Sequence, residues 1–158
     1  MPDGSFLVPM NSQTKNDLPP AVHIVFPAQE CAVRRALQSV CAILKSLALN
    51  TGTLASAEIV LAEVTNNIVE HAYEEFSSGT ISLTCCKSDN YLWFEIVDQG
   101  KMLPGGELPP KREHDLSAPV NDLPEGGFGW GLIRDLTNNL SYKRCDSQNI
   151  LRFTLACV

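Results

Sequence analysis

The stretch AEVTNNIVEHAY, residues 62–73, decides both the fold and the kind of site that we expect in this chain. It lies inside the segment 54–75, where apolar residues recur every three or four positions, a spacing that predicts the packing face of an α-helix. Glu63, Asn67 and His71 follow one another at intervals of four residues, so they stack along another side of this helix. We therefore expect one buried face and a second face that presents a carboxylate, a carboxamide and an imidazole.

Glu63 and Asn67 carry groups that suit chemistry with Mg²⁺ and a hydroxyl group. Mg²⁺ prefers oxygen ligands and commonly takes one or two from protein, so the amide oxygen of Asn67 is a suitable ligand. Glu63, one helical turn away, is suited to orient or deprotonate a hydroxyl group or a water molecule. Taken alone, the same residues also fit a solvated polar helix face, and two further motifs are needed to distinguish the interpretations.

Strand-like and helix-like segments alternate on both sides of this helix. β-Branched and aromatic residues predict strands, and helical spacing of apolar residues predicts helices. The expected strands are 21–26, 80–86, 91–97, 140–145 and 149–156, and the other expected helices are 28–49, ended by Asn50-Thr51-Gly52, and 127–139. Short connections predict two antiparallel hairpins. The order predicts an α+β fold, a two-layer α/β sandwich with helices on one face of a mainly antiparallel sheet.

The second motif is Asp98-Gln99-Gly100, which directly follows the strand 91–97. An Asp at the end of a strand can accept a hydrogen bond from the exocyclic amine of a base, and Gly lets the backbone turn close beside a flat ring. Taken alone, this tripeptide also fits an ordinary turn.

The third motif is GGFGWGL at 126–132, which has four glycines immediately before a helical run. A flexible loop that leads into a helix N-terminus exposes N–H groups, and these groups favour phosphate oxygens. It is not a Walker A loop, because it lacks the Gly-Lys-Ser/Thr end. A single glycine-rich turn can equally be structural.

Length and composition fit one domain and exclude several classes of protein. The chain has 158 residues, of which 44% are apolar and 19% charged, as in ordinary globular proteins. Its formal charge of −6 argues against a surface that follows nucleic acid, which needs clustered Lys and Arg. No apolar run approaches the ~20 residues that cross a bilayer. The six cysteines show no C-x-x-C spacing and are expected to be unpaired in a reducing compartment.

Two segments are expected to lack regular structure. Residues 1–20 have the polar and proline-containing composition of a flexible N-terminal tail, which leaves 21–158 as the domain. Residues 101–126 contain five prolines, and a loop of that length inside a small domain is usually functional or disordered.

In their order and separations, the three motifs resemble those of the GHKL ATPase superfamily, which includes gyrases, histidine kinases and MutL. Within it, the chain is most similar to the bacterial anti-sigma-factor serine/threonine kinases of the RsbW type. Residues 62–73 match the N-box of that subfamily, Asp98-Gln99-Gly100 the first glycine box, and 127–133 the second. The resemblance covers roughly residues 21–157 and implies the GHKL, or Bergerat, form of the sandwich.

The resemblance also implies roles for individual residues. Glu63 would be the general base for a seryl or threonyl hydroxyl, Asn67 the Mg²⁺ ligand and Asp98 the adenine contact. Residues 101–126 would be the ATP lid, and Arg34 lies where the family grips its partner. The residues that would bind the ATP are Asn67, His71, Asp98, Gly100, Met102, Gly127, Phe128, Gly129, Trp130, Gly131 and Leu132.

Two positions depart from the pattern of the family. The first glycine box usually continues to a second Gly, and here Lys101-Met102-Leu103 follows. Relatives often carry Gly-Thr at the start of the last strand, with the Thr near the adenine, and here Asn149-Ile150 stands instead.

The function that the resemblance implies is that of an ATP-dependent serine/threonine protein kinase of the anti-sigma-factor type. Such a kinase phosphorylates a STAS-domain anti-anti-sigma protein and, in another state, binds a sigma factor or similar target. The alternative left open is a non-catalytic module that uses ATP or ADP only to set its partner surface, with Glu63 idle. We expect a cytoplasmic location and no direct contact with nucleic acid or membrane, and the resemblance suggests a homodimer.

Overall fold

The structure is a computed structural model, and it describes residues 20–73, 79–111 and 128–157, without the side chain of Phe128. Three of the expectations fall largely outside these ranges. They are the flexible tail at 1–20, the part of the expected lid from 112 to 126, and Gly127 as a phosphate-contacting residue.

One five-stranded sheet runs through the described residues. Its strands are β1 (Val22–Pro27), β2 (Thr80–Lys87), β3 (Tyr91–Asp98), β4 (Asn138–Cys145) and β5 (Gln148–Ala156). They lie in the order β1-β2-β3-β5-β4, and every neighbouring pair is antiparallel. Both expected hairpins are present, and the pairing of β3 with β5 places Asp98 directly opposite Asn149.

The described α-helices are α1 (Glu30–Lys45), α2 (Thr51–Asn67) and α3 (Phe128–Leu136), and a short 3₁₀ turn spans Pro104–Gly106. α1 packs against β1 and α2, while α2 also contacts α3 and β5. The predicted α+β class, with helices layered on a mainly antiparallel sheet, is confirmed. No helix in the described ranges is long and apolar enough to span a membrane.

The core lies between the sheet and the helices. The rings of Phe94 and Phe153 stack across β3 and β5 with centroids 5.0 Å apart, and both side chains are fully buried. Burial of a side chain of this size stabilises the fold by about 1.5–3 kcal/mol. The helices contribute a second set of buried side chains to the same cluster, namely Val40, Leu44, Leu61, Val64 and Ile133. This core holds the ends of α2, α3, β3 and β5 in fixed positions.

The turn between α1 and α2 differs from the expectation that Gly52 ends the first helix. Gly52 lies in the first turn of α2, and Ala48 takes the positive φ of 54° instead. The difference arises because Asn50 caps α2: its side-chain oxygen accepts a hydrogen bond from the backbone N–H of Thr53 over 2.7 Å. Asn50 therefore marks the start of α2 rather than the end of α1.

The end of α2 also differs from the expected regular helix to residue 75. The α-helix ends at Asn67, and Ile68–Ala72 form one π-helical turn. The carbonyl of Ala72, the last residue of this turn, accepts a hydrogen bond from the backbone N–H of Lys101 over 2.8 Å. The π-helical turn thus joins α2 to the segment that follows β3. Such turns occur frequently at functional sites.

Candidate functional site

Two helices bring Glu63 and Asn67 of α2 against Gly129 of α3. Glu63 and Asn67 lie one turn apart near the C-terminal end of α2, and both residues are partly buried. A Cβ atom on Gly129 would lie 2.7 Å from Oε2 of Glu63 and 3.7 Å from Oδ1 of Asn67. Any larger residue at position 129 would therefore displace the Glu63 carboxylate, which is the far end of a flexible side chain, from the position that it has beside glycine.

Gly129, Trp130 and Gly131 lie inside α3, as the expected helix 127–139 implies, whereas the third motif was interpreted as a flexible loop that leads into a helical run at 132–136. Glycine has a low intrinsic helix propensity, roughly 1 kcal/mol poorer than alanine, which is why the sequence favoured a loop. Packing overrides that preference here, because α3 lies against α2 and buries Ile133 completely in the core. Phe128 is the first residue of this helix, and Gly127 lies outside the described residues.

Asn67 carries a buried polar atom without a partner. Within the described part of the chain, its Nδ2 atom is buried and makes no hydrogen bond. A buried amide that stays unpaired costs about 1–3 kcal/mol, and a ligand or a water molecule that pairs with it recovers this cost. The oxygen and nitrogen of a carboxamide exchange places when the group rotates by 180°. Asn67 can therefore offer either atom to a ligand.

The donor set at this point fits Mg²⁺ held jointly with phosphate. The amide oxygen of Asn67 is a neutral oxygen ligand of the kind that Mg²⁺ accepts, and the carboxylate of Glu63 lies beside the same glycine. The described residues contain no cluster of three or more His, Cys, Asp or Glu side chains. A site that takes only one or two ligands from protein needs no such cluster, since phosphate oxygens and water complete the coordination.

Asp98 ends β3 with its side chain buried on the same side of the sheet as the helices, at only 3% exposure. Its Oδ1 atom accepts hydrogen bonds from the backbone N–H of Gly100 over 2.9 Å and from Nδ2 of Asn149 over 2.8 Å. Burial raises the pKa of the Asp98 carboxyl group, while these two hydrogen bonds and the charge of Arg144 lower it. Both described hydrogen bonds end on Oδ1, which leaves Oδ2 to accept a donor from a ligand.

Gly100 follows in a position that only glycine can fill without rearrangement. A Cβ atom there would lie 2.5 Å from Cβ of Ala72 and 2.7 Å from its backbone oxygen. The hydroxyl group of Tyr73 accepts a hydrogen bond from the backbone N–H of Gln99 over 2.9 Å and donates one to the carbonyl of Thr80 over 3.1 Å. The Asp98–Gly100 turn is therefore held directly by the residues that end the π-helical turn.

Comparison with known proteins assigns the chain to a family. Residues 26–155 match the profile of the histidine kinase-like ATPase domain. The chain belongs to that family. The chain is also similar in sequence to two proteins that are named serine-protein kinase RsbW. The protein from Halalkalibacterium halodurans is 29% identical over 140 residues, which cover 86% of this chain and 83% of the relative.

The RsbW kinase of Bacillus thuringiensis is 32% identical over 95 residues, which cover 60% of this chain and 59% of that relative. The chain thus aligns with less than two thirds of the Bacillus protein. The crystal structure of the RsbU and RsbW domains of a Mycobacterium tuberculosis protein superposes with a TM-score of 0.58 at 16% identity, covering 87% of this chain and 33% of that one. The structural likeness shows a shared fold.

The other predicted site residues of this histidine kinase-like ATPase domain lie in different surroundings. His71 is exposed in the π-helical turn, where its Nε2 atom lies 3.8 Å from Oε2 of Glu70, and no described contact joins it to Glu63 or Asn67. Met102 is 49% exposed and Leu132 is 42% exposed. Trp130 is partly buried against the core. The roles of these residues toward a nucleotide stay predictions.

The described part of the expected lid, residues 101–111, is held to the rest of the domain by hydrogen bonds and by packing. The backbone N–H of Leu103 donates to the hydroxyl group of Tyr142 over 3.0 Å. Farther along, Nη2 of Arg134 in α3 donates to the carbonyl of Pro109 over 2.6 Å, and Leu108 packs against the core. This segment of the histidine kinase-like ATPase domain is therefore attached both to the C-terminal hairpin and to α3.

Sequence reasoning missed the residues that surround Asp98. Asn149, Tyr142 and Arg144 form hydrogen bonds around the Asp98–Gly100 turn, yet Asn149 was noted only as a departure from the pattern of the family. The available signal was the position of Asn149 at the start of the last strand. The pairing of β3 with β5 is a non-local contact. The register that places Asn149 opposite Asp98 therefore cannot be predicted from the spacing of residues in the sequence.

Proposed function

We propose that this chain is an ATP-dependent serine/threonine protein kinase of the anti-sigma-factor type. The observation that carries the proposal is the contact of Glu63 and Asn67 with Gly129, together with the unpaired buried amide of Asn67. Membership in the histidine kinase-like ATPase domain family supports the binding of ATP with Mg²⁺. Similarity to two RsbW serine-protein kinases supports a protein hydroxyl group as the acceptor.

Each element of the proposed site has a distinct part in binding. Asn67 provides a neutral oxygen for Mg²⁺, which neutralises charge on the phosphates when it is bound. Asp98 offers Oδ2 to the exocyclic amine of adenine. The backbone of α3 at Gly129 and Gly131 approaches the phosphates at the N-terminal end of the helix, where N–H groups favour anions. Gly127 and residues 112–126 extend this proposal beyond the described residues.

The proposed reaction transfers the γ-phosphoryl group of ATP to a seryl or threonyl hydroxyl. The hydroxyl oxygen forms a new bond to the γ-phosphorus, the bond from that phosphorus to the β–γ bridging oxygen breaks, and ADP leaves. Glu63 orients the hydroxyl group and accepts its proton. Phosphoryl transfer depends more on positioning and charge stabilisation than on a strong base, so a carboxylate is sufficient for this role.

The proposed partners follow from the same similarity. The acceptor is a STAS-domain anti-anti-sigma protein, and a sigma factor or similar target binds in the other state of the switch. Arg34 is exposed on α1, where its Nη2 atom lies 3.8 Å from Oε1 of Glu30, and is proposed to contact a partner. We propose further that the kinase acts as a homodimer in the cytoplasm, where ATP and these partners are present.

Transfer of labelled phosphate tests the proposal. The purified protein, incubated with Mg²⁺ and [γ-³²P]ATP, is expected to label a STAS-domain protein of the same organism on Ser or Thr. Glu63→Gln is expected to lower the rate by about 100-fold or more while ATP binding is preserved, because general-base contributions are of that size. Glu58→Gln, on an exposed position of the same helix, is the matched control and should retain activity. ATP binding without transfer to any STAS-domain protein would favour the non-catalytic module instead.

A further inference from the structure

Three polar side chains of the C-terminal hairpin, Tyr142, Arg144 and Asn149, converge on the turn that follows β3. We propose that Asn149 is a positioning residue that fixes the Asp98 carboxylate with one oxygen turned to the ligand, so that this site selects a base bearing an amino group. The inference rests on the proposed binding of ATP and deepens it.

The donor side of the Asn149 carboxamide is fully engaged within the protein. Its Nδ2 atom lies 2.8 Å from Oδ1 of Asp98, 3.1 Å from the carbonyl oxygen of Lys101 and 3.2 Å from that of Gly100. Two amide hydrogens are thus shared among three acceptors. The side chain is also buried, at 5% exposure, so water does not compete for these bonds.

The acceptor side of the same carboxamide is engaged as well. Oδ1 of Asn149 accepts a hydrogen bond from the Tyr142 hydroxyl group over 2.6 Å and another from Nη1 of Arg144 over 2.9 Å. Because a guanidinium group only donates hydrogen bonds, Arg144 requires the oxygen of Asn149 to lie on its side. The amide orientation is therefore determined, and the nitrogen must face Asp98.

These contacts leave one atom for recognition of the base. Oδ1 of Asp98 is used by Gly100 and Asn149, and neither end of the Asn149 carboxamide is available to a ligand. Oδ2 of Asp98 remains as an acceptor at the end of β3. An ionised carboxylate oxygen accepts hydrogen bonds and cannot donate one, so it matches an exocyclic amine and rejects a carbonyl at the same place.

The same three side chains also fix the backbone that continues from Asp98. Arg144 donates to the carbonyl of Gly100 over 2.6 Å, and the Tyr142 hydroxyl group accepts from the backbone N–H of Leu103. Residues 100–103 are thereby bound to β4 and β5 on one side, while Lys101 is bound to Ala72 on the other. A carboxylate held between two such anchored segments is preorganised, which reduces the entropy lost on binding.

The test compares ATP with purine riboside triphosphate, which lacks the 6-amino group, by calorimetric titration in the presence of Mg²⁺. A hydrogen bond to a charged acceptor is expected to make the unaltered protein prefer ATP by about 10-fold or more. Asn149→Ala is expected to remove most of this preference, with binding of the analogue unchanged within about twofold. If Asn149 had only a structural role, Asn149→Ala would lower the affinities for ATP and for the analogue by the same factor. That result would overturn the inference.

Tyr142→Phe provides a second variant that keeps the ring and the fold of the hairpin. It removes one donor to Asn149 and the acceptor of the Leu103 N–H, so a smaller loss of the ATP preference is expected, about threefold. Unchanged preference in both folded variants would overturn the positioning role. Asn138→Ala, at an exposed position of the same hairpin, is the matched control. Failure of the unaltered protein to bind either nucleotide would instead refute the proposed ATP site.

Discussion

Gly129 of α3 lies so close to Glu63 of α2 that a Cβ atom at position 129 would be 2.7 Å from the carboxylate oxygen Oε2. This contact joins two motifs that are separated by more than sixty residues in the sequence. Glycine has a poor propensity inside a helix, and at position 129 it leaves room for the Glu63 carboxylate.

Gly129→Ala is expected to lower phosphoryl transfer by about 10-fold or more, because the added methyl group displaces the Glu63 carboxylate from its position. The free energy of unfolding should change little, since alanine improves helix propensity by up to about 1 kcal/mol and offsets part of the crowding. Kinase assays and urea unfolding of the same preparation check both effects. A variant with full activity would show that the position of Glu63 against α3 does not matter.

Gly100→Ala tests the contact between the Asp98–Gly100 turn and the π-helical turn. The new Cβ would lie 2.5 Å from Cβ of Ala72 and 2.7 Å from its carbonyl oxygen, and backbone atoms cannot give way as a flexible side chain can. We expect a loss of about 1–3 kcal/mol in the free energy of unfolding, together with weaker ATP binding. Gly105→Ala is the comparison, since nothing lies within 4 Å of that position and only its positive φ of 71° opposes the change. A smaller effect at Gly100 than at Gly105 would contradict the prediction.

Tyr73→Phe tests the hydroxyl group that bridges the backbone of Gln99 and Thr80. Removal of this group takes away the hydrogen-bond partner of the Gln99 N–H and of the Thr80 carbonyl. We therefore expect the free energy of unfolding to fall by about 1 kcal/mol. Chemical unfolding measures the change. Tyr91→Phe, at a partly buried position of β3, is the matched control and should unfold like the original protein. Equal stability of all three proteins would show that the bridge contributes nothing.

Asp98→Asn tests two effects of the Asp98 carboxylate separately, its effect on the stability of the fold and its effect on the affinity for ATP. Burial raises the pKa of Asp98 above its usual 3.8, so the folded state binds this proton more tightly than the unfolded state. The original protein therefore loses stability relative to the variant as the pH rises from 3.8 through the raised pKa. At neutral pH we expect the variant to be at least as stable, while its ATP affinity falls by about 10-fold or more, because an amide can turn a donor toward the amine.

Thermal unfolding between pH 4 and 7, with calorimetric titration of ATP, checks this pair of expectations. The two proteins should approach equal stability at the acidic end of the range. A variant that becomes progressively less stable than the original protein as the pH rises would show that the ionised carboxylate stabilises the fold. In that case the pKa of Asp98 would be lower in the folded state than in the unfolded state.

Local pattern predicted most of the fold and part of the site. The alternation of strands and helices follows from side-chain periodicity, and the hairpins follow from short connections, so both appear in the predicted order. The boundaries differ at the end of the last helix, because α3 ends at Leu136 and β4 begins at Asn138, inside the expected helix 127–139. The helical spacing of Glu63 and Asn67 was equally local. Local spacing did not predict how distant segments pack: the π-helical turn at Ile68–Ala72 meets the turn after β3, and Gly129 of α3 lies beside Glu63 of α2.

The environment of Asp98 could not be derived from the sequence for the same reason. Asn149 meets Asp98 only through the register of β3 with β5, and that register is set by the packing of the whole sheet. Tyr142 and Arg144 reach the same place because they lie on β4, the partner of β5. Each residue alone is an ordinary polar residue on a strand. Their joint arrangement depends on non-local pairing, which has no signature in local spacing.

The most direct test of the account measures the affinity for ATP with and without Mg²⁺ in the original protein and in Asn67→Ala. The original protein is expected to bind ATP about 10-fold or more tightly when Mg²⁺ is present, which corresponds to about 1.4 kcal/mol or more. Asn67→Ala should lose this enhancement and keep its metal-free affinity, while Asn66→Ala, at the exposed neighbouring position, should behave like the original. An undiminished effect of Mg²⁺ in Asn67→Ala would contradict the central claim that Asn67 holds the metal beside Glu63 and Gly129.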